Sequence, residues 1–147
     1  MFDLDYILLK SGEALPTIDA SQPFMAVVCI EMDDVSVAWR SEVSAWLVDN
    51  GCRYAIAWGP SCSLWDYAID EANLAAFDYA EIPEDNFVMT TWHEDEELSD
   101  VFWFAKNAAR HPSIELNRRV LIHISEMNRE TELLRMWNET EEVNVFS

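Results

Sequence analysis

The chain of 147 residues has only three glycines, Gly12, Gly51 and Gly59. They stand too far apart to form a Gly-x-Gly-x-x-Gly fingerprint or a Walker loop, in which closely spaced glycines let backbone N–H groups approach a phosphate. A dinucleotide or nucleoside triphosphate held by a glycine-rich loop is therefore not expected.

Paired cysteines and long apolar runs are also missing. The three cysteines, Cys29, Cys52 and Cys62, show no Cys-x-x-Cys spacing, which argues against a disulfide framework or a structural zinc site and favours a reducing compartment. The longest apolar run, residues 24–30, is far shorter than the roughly 20 residues that cross a bilayer. The first residues carry acids where a secretory signal carries positive charge. We expect a cytoplasmic protein that does not enter a membrane.

Basic residues are few. The sequence has 28 Asp and Glu against nine Lys and Arg, a net charge of −19. The excess lies in residues 1–100, with 21 acids and three bases, whereas residues 101–147 carry seven acids and six bases. Nucleic acids and anionic membranes bind through Lys and Arg, so this charge disfavours both as partners. It favours a basic protein or a cation, although solubility alone is the simpler explanation.

Four short apolar segments predict β-strands: residues 24–30, 54–58, 87–92 and 120–124. They begin about 30 residues apart, the length of a strand plus a crossover helix, and their continuous apolar character suits strands covered on both faces. This alternation predicts one α/β domain over residues 1–147, a small three-layer Rossmann-like or flavodoxin-like domain with a mainly parallel sheet of four or five strands. Residues 1–22 would form an N-terminal extension packing on the core, as a strand or short helix plus a loop.

Apolar residues at helical spacing lie between and after the strands, in stripes that begin at Trp39, Leu64, Leu98 and Leu133. The first stripe closes at Gly51, a residue suited to the left-handed cap of a helix. Ser63 and Asp66 predict a capping box at the start of the second.

Ligands of open parallel sheets bind outside the carboxyl ends of the strands, and the turn after the second predicted strand, residues 58–63, is the most suggestive place. A strand, a tight turn and a helix would set Cys62 at a helix N-terminus, where backbone N–H groups stabilise a thiolate. His93, after the third strand, would be its base, which makes Cys62 and His93 a candidate catalytic pair. The surrounding acids oppose this by raising a thiol pKa. The simpler alternative to a catalytic site is that Ser61 and Ser63 cap the helix and that Cys62 is a small residue packed in the core.

The same edge predicts a ligand pocket. Two tryptophans end adjacent βα units, and an indole combines apolar area with an N–H donor. Together with polar residues at the strand ends they define a candidate pocket lined by Trp58, Ser61, Ser63, Trp92, Glu94 and Ser125.

Three carboxylates, Glu31, Asp33 and Asp34, follow the first predicted strand. Hard divalent cations take carboxylate oxygens, so these residues form a candidate metal site; no other cofactor is predicted. The alternative is that Asp33 or Asp34 caps the first helix. His123 lies within an apolar strand, which favours a hydrogen-bonded core histidine over a catalyst.

Three segments, WGPSCSLWD, FVMTTWHEDEELSDVFWFAKNAARHP and VLIHIS, lie within residues 54–125. They resemble a small family of acidic bacterial proteins of unknown function. The resemblance implies a bacterial cytosolic setting, and it carries no activity and no site residue.

Three functions follow from these patterns. An interaction protein would bind a basic partner with its acidic surface, as an immunity protein, an inhibitor or a nucleic-acid mimic does. A small hydrolase or transferase would use Cys62 and His93 or the candidate metal site, and a small-molecule sensor would use the tryptophan pocket. The interaction protein ranks first because it needs only the charge, whereas the other two need an inferred geometry.

Overall fold

The computed structural model describes residues 4–143, which form a five-stranded, all-parallel sheet with helices on both faces. The predicted α/β class and three-layer architecture are confirmed. In chain order the elements are β1 (Leu4–Leu9), β2 (Phe24–Ile30), α1 (Val37–Asp49), β3 (Cys52–Trp58), α2 (Cys62–Ala75), a short 3₁₀ helix (Glu84–Asn86), β4 (Met89–His93), α3 (Leu98–Asn107), β5 (Arg118–Ile124) and α4 (Glu130–Glu139). Within residues 4–143, no helix combines the length and the apolar character that crossing a membrane requires.

The strands lie in the order β1-β5-β2-β3-β4. From β2 the chain adds β3 and then β4 on one side, and after α3 it returns to place β5 on the other side of β2. The direction of winding therefore reverses between β2 and β5, which pair in parallel with Val27 opposite Leu121. In sheets of this kind the reversal, or switch point, leaves a crevice at the carboxyl ends of the strands.

Alternate side chains of β2 pack into two separate hydrophobic cores, one on each face of the sheet. Its even-numbered residues, 24–30, pack with α1 and α2 on one face, and its odd-numbered residues, 25–29, pack with α3 and α4 on the other. Every residue of β2 is buried, as the continuous apolar run predicts for a central strand covered on both sides.

The N-terminal extension consists of a strand and a loop. β1 pairs with β5 along its whole length, from Leu4 opposite Arg119 to Leu9 opposite Ile124. In the loop that follows, Ile18 is buried in the core beneath α1 and α2. Residues 1–3 of the predicted extension lie outside the described residues.

The start of α2 differs from the prediction. The helix begins at Cys62, with Ser61 at the N-cap position but without a side-chain cap hydrogen bond. The predicted capping box of Ser63 and Asp66 is wrong because both residues already lie inside the helix. Asp66 is buried beside Thr90 of β4 instead of reaching back to the helix start.

The cap of α1 also differs from the prediction. Ser36 is the N-cap residue, and its hydroxyl oxygen accepts a hydrogen bond from the N–H of Trp39 at 3.0 Å. Asp33 and Asp34 lie too early in the chain to cap this helix, and the carboxylate of Asp33 accepts a hydrogen bond from Ser61 instead.

Candidate functional site at the carboxyl edge of the sheet

The turn between β3 and α2 lies at the carboxyl edge of the sheet, between the ends of β2 and β4. Gly59 takes a φ of 110°, and a Cβ atom there would lie 2.0 Å from the carbonyl oxygen of Ile30 at the end of β2. Only glycine lets the turn pass this close to β2. Ser61 is also left-handed, with φ 60° and ψ 25°, a conformation that costs a non-glycine residue roughly 1–2 kcal/mol.

Two hydrogen bonds tie this turn to acidic segments on either side. The hydroxyl of Ser61 donates to Oδ1 of Asp33 at 2.5 Å, and Nε1 of Trp58 donates to the carbonyl oxygen of Glu96 at 2.7 Å. The first segment, residues 31–34, follows β2, and the second, residues 94–97, follows β4. We call these two segments the acidic rim; its seven carboxylates all belong to exposed residues: Glu31, Asp33, Asp34, Glu94, Asp95, Glu96 and Glu97.

The side chain of His93 faces α3. Its Nδ1 lies 3.0 Å from Oε2 of Glu96 and its Nε2 lies 3.0 Å from Oγ1 of Thr91. The ring also packs on Phe104 of α3, with the ring centroids 5.1 Å apart. Both ring nitrogens therefore already have partners within residues 4–143.

The thiol of Cys62 lies in the other core, beneath α1 and α2, and the residue is 1% exposed. Burial, the largest influence, and the nearby Glu94 raise the thiol pKa, although backbone N–H groups of His93, Cys62 and Ser63 act to lower it. Among the contacts of residues 4–143, none joins this thiol to the ring of His93, so the candidate catalytic pair is not assembled. The helix N-terminus is present, but burial outweighs its effect.

The predicted pocket residues do not converge either. In the pairing of β3 with β4, Trp58 lies opposite His93 and Ala57 lies opposite Trp92, so the two indoles point to opposite faces of the sheet. Trp92 is 52% exposed, whereas Trp58 packs at the margin of the α3 and α4 core.

The remaining predicted pocket residues belong to different segments of the chain, and no hydrogen bond within residues 4–143 joins them to one another. Ser125 is buried beyond the end of β5, and its hydroxyl oxygen accepts from the N–H of Met127 at 3.0 Å. Ser63 is exposed on the first turn of α2, and Glu94 belongs to the acidic rim.

The candidate metal ligands have other partners. Oε1 of Glu31 lies 2.6 Å from Nε2 of His123, its Oε2 forms an ion pair with Arg129, and Asp33 is bonded to Ser61. Among residues 4–143, no group of three or more His, Cys, Asp or Glu side chains is arranged to hold a metal ion.

A closed ring of hydrogen bonds, which we call the switch-point ring, joins the middle of β1 to the ends of β5 and β2. It joins Tyr6, His123, Glu31 and Arg129. The hydroxyl oxygen of Tyr6 lies 2.6 Å from Nδ1 of His123, and the backbone N–H of Arg129 donates to that oxygen at 3.3 Å. An ionised carboxylate only accepts, so Nε2 of His123 donates to Glu31, and Nδ1 of the same ring faces the hydroxyl of Tyr6.

The charges of the switch-point ring are balanced. Burial raises the pKa of Glu31, but hydrogen bonds from His123 and Arg129 outweigh it and hold the pKa below its ordinary value. Burial raises the pKa of Tyr6. At neutral pH the carboxylate is therefore ionised beside the guanidinium of Arg129, and the phenol keeps its proton. The expectation that His123 is a hydrogen-bonded core residue is confirmed.

Sequence reasoning missed Tyr6 and Arg129. The partners of His123 stand 117 and 92 residues away along the chain, so no local pattern relates them. The one available signal was the position of Glu31 and Arg129 after the first and the fourth predicted strands, which became informative only once the strand order was known.

Comparison with known proteins gives one match. The family model described as a domain of unknown function (DUF7684) covers residues 4–140. No curated protein and no solved structure matches the chain.

Proposed function

The chain belongs to the DUF7684 family, and we propose that it is a cytoplasmic, non-enzymatic protein that binds a basic protein partner at its acidic rim. The observation that carries this proposal is the position of the turn between β3 and α2. Its hydrogen bonds to Asp33 and to Glu96 hold one acidic segment on each side of the turn, at the same edge of the sheet. Charge that is dispersed along the sequence thereby becomes one surface.

Few of these charges are compensated. Within residues 4–143 the rim carboxylates with a basic side chain as partner are Glu31, which contacts Arg129 and His123, and Glu96, which contacts His93. The other rim carboxylates keep their negative charge in water, where neighbouring like charges repel one another. A cationic surface that covers the rim would relieve this repulsion and would be drawn to it over a long range.

An aromatic side chain stands beside the rim. Trp92, 52% exposed, directly precedes the segment of His93 and residues 94–97. An exposed indole face attracts an ammonium or a guanidinium group, with about 0.5–1 kcal/mol per contact at exposed sites. The combination of carboxylates with an exposed indole supports a partner that presents lysine or arginine, as the target of an immunity protein, an inhibitor or a nucleic-acid mimic would.

The enzymatic and sensor alternatives have weaker support. The thiol of Cys62 is buried with a raised pKa and is not in contact with the ring of His93, and the two indoles lie on opposite faces of the sheet. Basic-partner binding requires neither arrangement.

The test compares two double variants with the same change in charge. Asp34→Lys with Glu94→Lys alters one carboxylate in each segment of the rim. Glu81→Lys with Glu115→Lys alters two exposed carboxylates near the opposite edge, ahead of β4 and β5. A fluorescently labelled peptide of alternating lysine and glycine is titrated against each protein at an ionic strength of about 0.1 M, and anisotropy gives the Kd.

We expect the rim variant to bind the peptide about 10-fold more weakly than the unaltered chain, equivalent to about 1.4 kcal/mol. The opposite-edge variant should bind within about 3-fold of it, since exposed charges beyond a Debye length of about 10 Å are largely screened. Equal weakening in the two variants would mean that net charge alone attracts the peptide, and the rim would then not be the binding surface.

A further inference from the structure

Two aspartates of α2 lie one helical turn apart and face β4, away from the acidic rim. We call Asp66 and Asp70 the aspartate pair. Oδ1 of Asp70 accepts a hydrogen bond from the hydroxyl of Thr90 at 2.8 Å. Thr90 is the second residue of β4, so the pair lies toward the amino end of this strand, whereas the rim follows its carboxyl end.

Asp66 is the more buried member of the pair. The residue is 8% exposed, and its Oδ1 atom has no hydrogen-bond partner among residues 4–143. Burial and the charge of Asp70 raise the pKa of this carboxyl group, and a hydrogen bond with the hydroxyl of Thr90 acts to lower it. A carboxylate oxygen buried without a partner is costly, and a neighbouring carboxylate adds to that cost.

A cavity of about 390 Å³ is lined by Asp70, the less buried member of the pair. Asp70 and Thr90 form its polar wall, and its apolar wall comprises Leu74, Ile82, Phe87 and Met89. Phe87 and Leu74 are exposed although they are large and apolar. The volume falls within the range of small-molecule sites, which combine mainly apolar walls with a few convergent polar groups.

The rear of the cavity is held in place by Asn73. Its Oδ1 accepts from the N–H of Val88 at 2.9 Å and its Nδ2 donates to the carbonyl oxygen of Asn86 at 3.2 Å. These two bonds attach residues 86–88, which lead into β4, to α2. One border of the cavity is therefore backbone held by hydrogen bonds, and the shape of the cavity does not depend on surface side chains alone.

We propose that this cavity is a binding site for a small organic cation that carries a primary ammonium group on an apolar body. The ammonium would pair with the carboxylate of Asp70 beside the hydroxyl of Thr90, and Asp66 would add a second negative charge immediately behind. The apolar body would lie against Leu74, Ile82 and Phe87. An anionic or dicarboxylic ligand is disfavoured by the same two charges. The site is separate from the acidic rim, so it does not depend on the proposed basic partner.

The experiment uses three probes of similar size on the full chain at neutral pH: 2-phenylethylamine, 2-phenylethanol and 3-phenylpropionate. Isothermal titration calorimetry measures the affinity and the stoichiometry of each probe. The variants are Asp70→Asn, which removes the charge at the cavity wall, and Phe87→Ser, which removes an exposed part of the apolar wall. Glu115→Gln removes one exposed carboxylate that does not line the cavity and serves as the matched control.

We expect 2-phenylethylamine to bind with a stoichiometry of one, and the alcohol and the carboxylate to bind at least about 10-fold more weakly, a difference of about 1.4 kcal/mol. Asp70→Asn and Phe87→Ser should each weaken amine binding by a similar factor, and Glu115→Gln should leave it unchanged. Equal weakening in Asp70→Asn and Glu115→Gln would overturn the site in favour of diffuse charge attraction. Equal binding of the amine and the alcohol, or no saturable amine binding, would overturn it as well.

Discussion

The switch-point ring and the aspartate pair both shield ionisable side chains partly from water, but only the ring balances its charge. In the ring the carboxylate of Glu31 is hydrogen-bonded to His123 and paired with Arg129. In the pair two carboxylates share one hydroxyl, that of Thr90, and one oxygen of Asp66 has no partner within residues 4–143. A completed network rigidifies the elements it joins, whereas an incomplete one stores free energy that a ligand or a proton can release.

The pKa shifts of the two clusters have opposite signs. The pKa of Glu31 is lowered by its bonds to His123 and Arg129, which outweigh burial. The pKa of Asp66 is raised by burial and by Asp70, and burial raises that of Asp70. The ring should therefore stabilise the fold most at neutral pH, and the pair should destabilise it most there. Three substitutions test this comparison.

The largest effect is expected from His123→Leu, which opens the ring at its fully buried member. The substitution removes the bond of the Tyr6 hydroxyl to Nδ1 and the bond of Nε2 to one carboxylate oxygen of Glu31, whereas the N–H of Arg129 still donates to the tyrosine oxygen. We expect the free energy of unfolding to fall by about 3 kcal/mol, because two hydrogen bonds are lost at a buried side chain and one of them joins a charged group. Urea denaturation at neutral pH measures this change.

Tyr6→Phe is the matched control for the ring. It removes one hydroxyl and keeps the ion pair of Glu31 with Arg129, so we expect a loss of only about 1 kcal/mol. If His123→Leu unfolds at the same urea concentration as the unaltered chain, with an unchanged slope, the ring contributes nothing to stability.

A smaller effect is expected from Glu31→Gln, which keeps the shape of the side chain and removes its charge. Because the pKa of Glu31 is lowered, the stability due to its ionisation is present above the ordinary glutamate pKa of about 4.3. That stability is lost as the pH falls through the lowered value. We expect the variant to be about 1–2 kcal/mol less stable at neutral pH and to approach the unaltered chain in acid.

The pH dependence of the Glu31→Gln deficit is read from urea midpoints measured along a pH series. A deficit that stays constant from neutral to acidic pH would show that the amide disturbs packing, and that the charge of Glu31 has no part in the effect.

The smallest effect, and the opposite sign, is expected from Asp66→Asn. Because the pKa of Asp66 is raised, its contribution to stability is fully present below the ordinary aspartate pKa of about 3.9. That contribution is lost as the pH rises through the raised value. The uncharged amide avoids this loss, so we expect a gain of about 1 kcal/mol at neutral pH that shrinks toward acid.

Thermal unfolding across the same pH series checks the Asp66→Asn gain, with Glu115→Gln as an exposed control that should change stability little. A variant that is destabilised at neutral pH would mean that the ionised carboxylate of Asp66 has a stabilising partner, and the contrast between the two clusters would fail.

Local hydrophobicity predicts the bounds of a strand correctly where every residue of the strand is apolar. β2 has the predicted bounds, residues 24–30, and every one of its residues is buried. β5 begins two residues before its predicted start because Arg118 and Arg119 belong to it. Arg119 is 5% exposed and donates to the carbonyl oxygen of Ala105 at 3.3 Å. Hydropathy alone does not predict that such a charged residue is buried in a strand, because its hydrogen-bond partner lies in another element.

β4 shows the reverse error. The predicted strand starts at Phe87, but pairing with β3 begins at Met89. The N–H of Val88 donates to the side chain of Asn73 instead of to a strand. An apolar run therefore predicted burial correctly for Val88, while the partner of its backbone was decided by a helix 15 residues earlier in the chain.

The sequence by itself determined the alternation of strands and helices, the parallel sheet and the concentration of acids in residues 1–100, because each is a property of local composition and spacing. Only the tertiary structure decided that β5 lies between β1 and β2, and this placement brings Tyr6, Glu31 and His123 together. It also decided that the turn after β3 bonds both acidic segments, and that Asp66 turns inward. Partners of polar groups depend on which faces of the sheet are buried and in which order the strands pair, and neither is encoded in the spacing of residues along one segment.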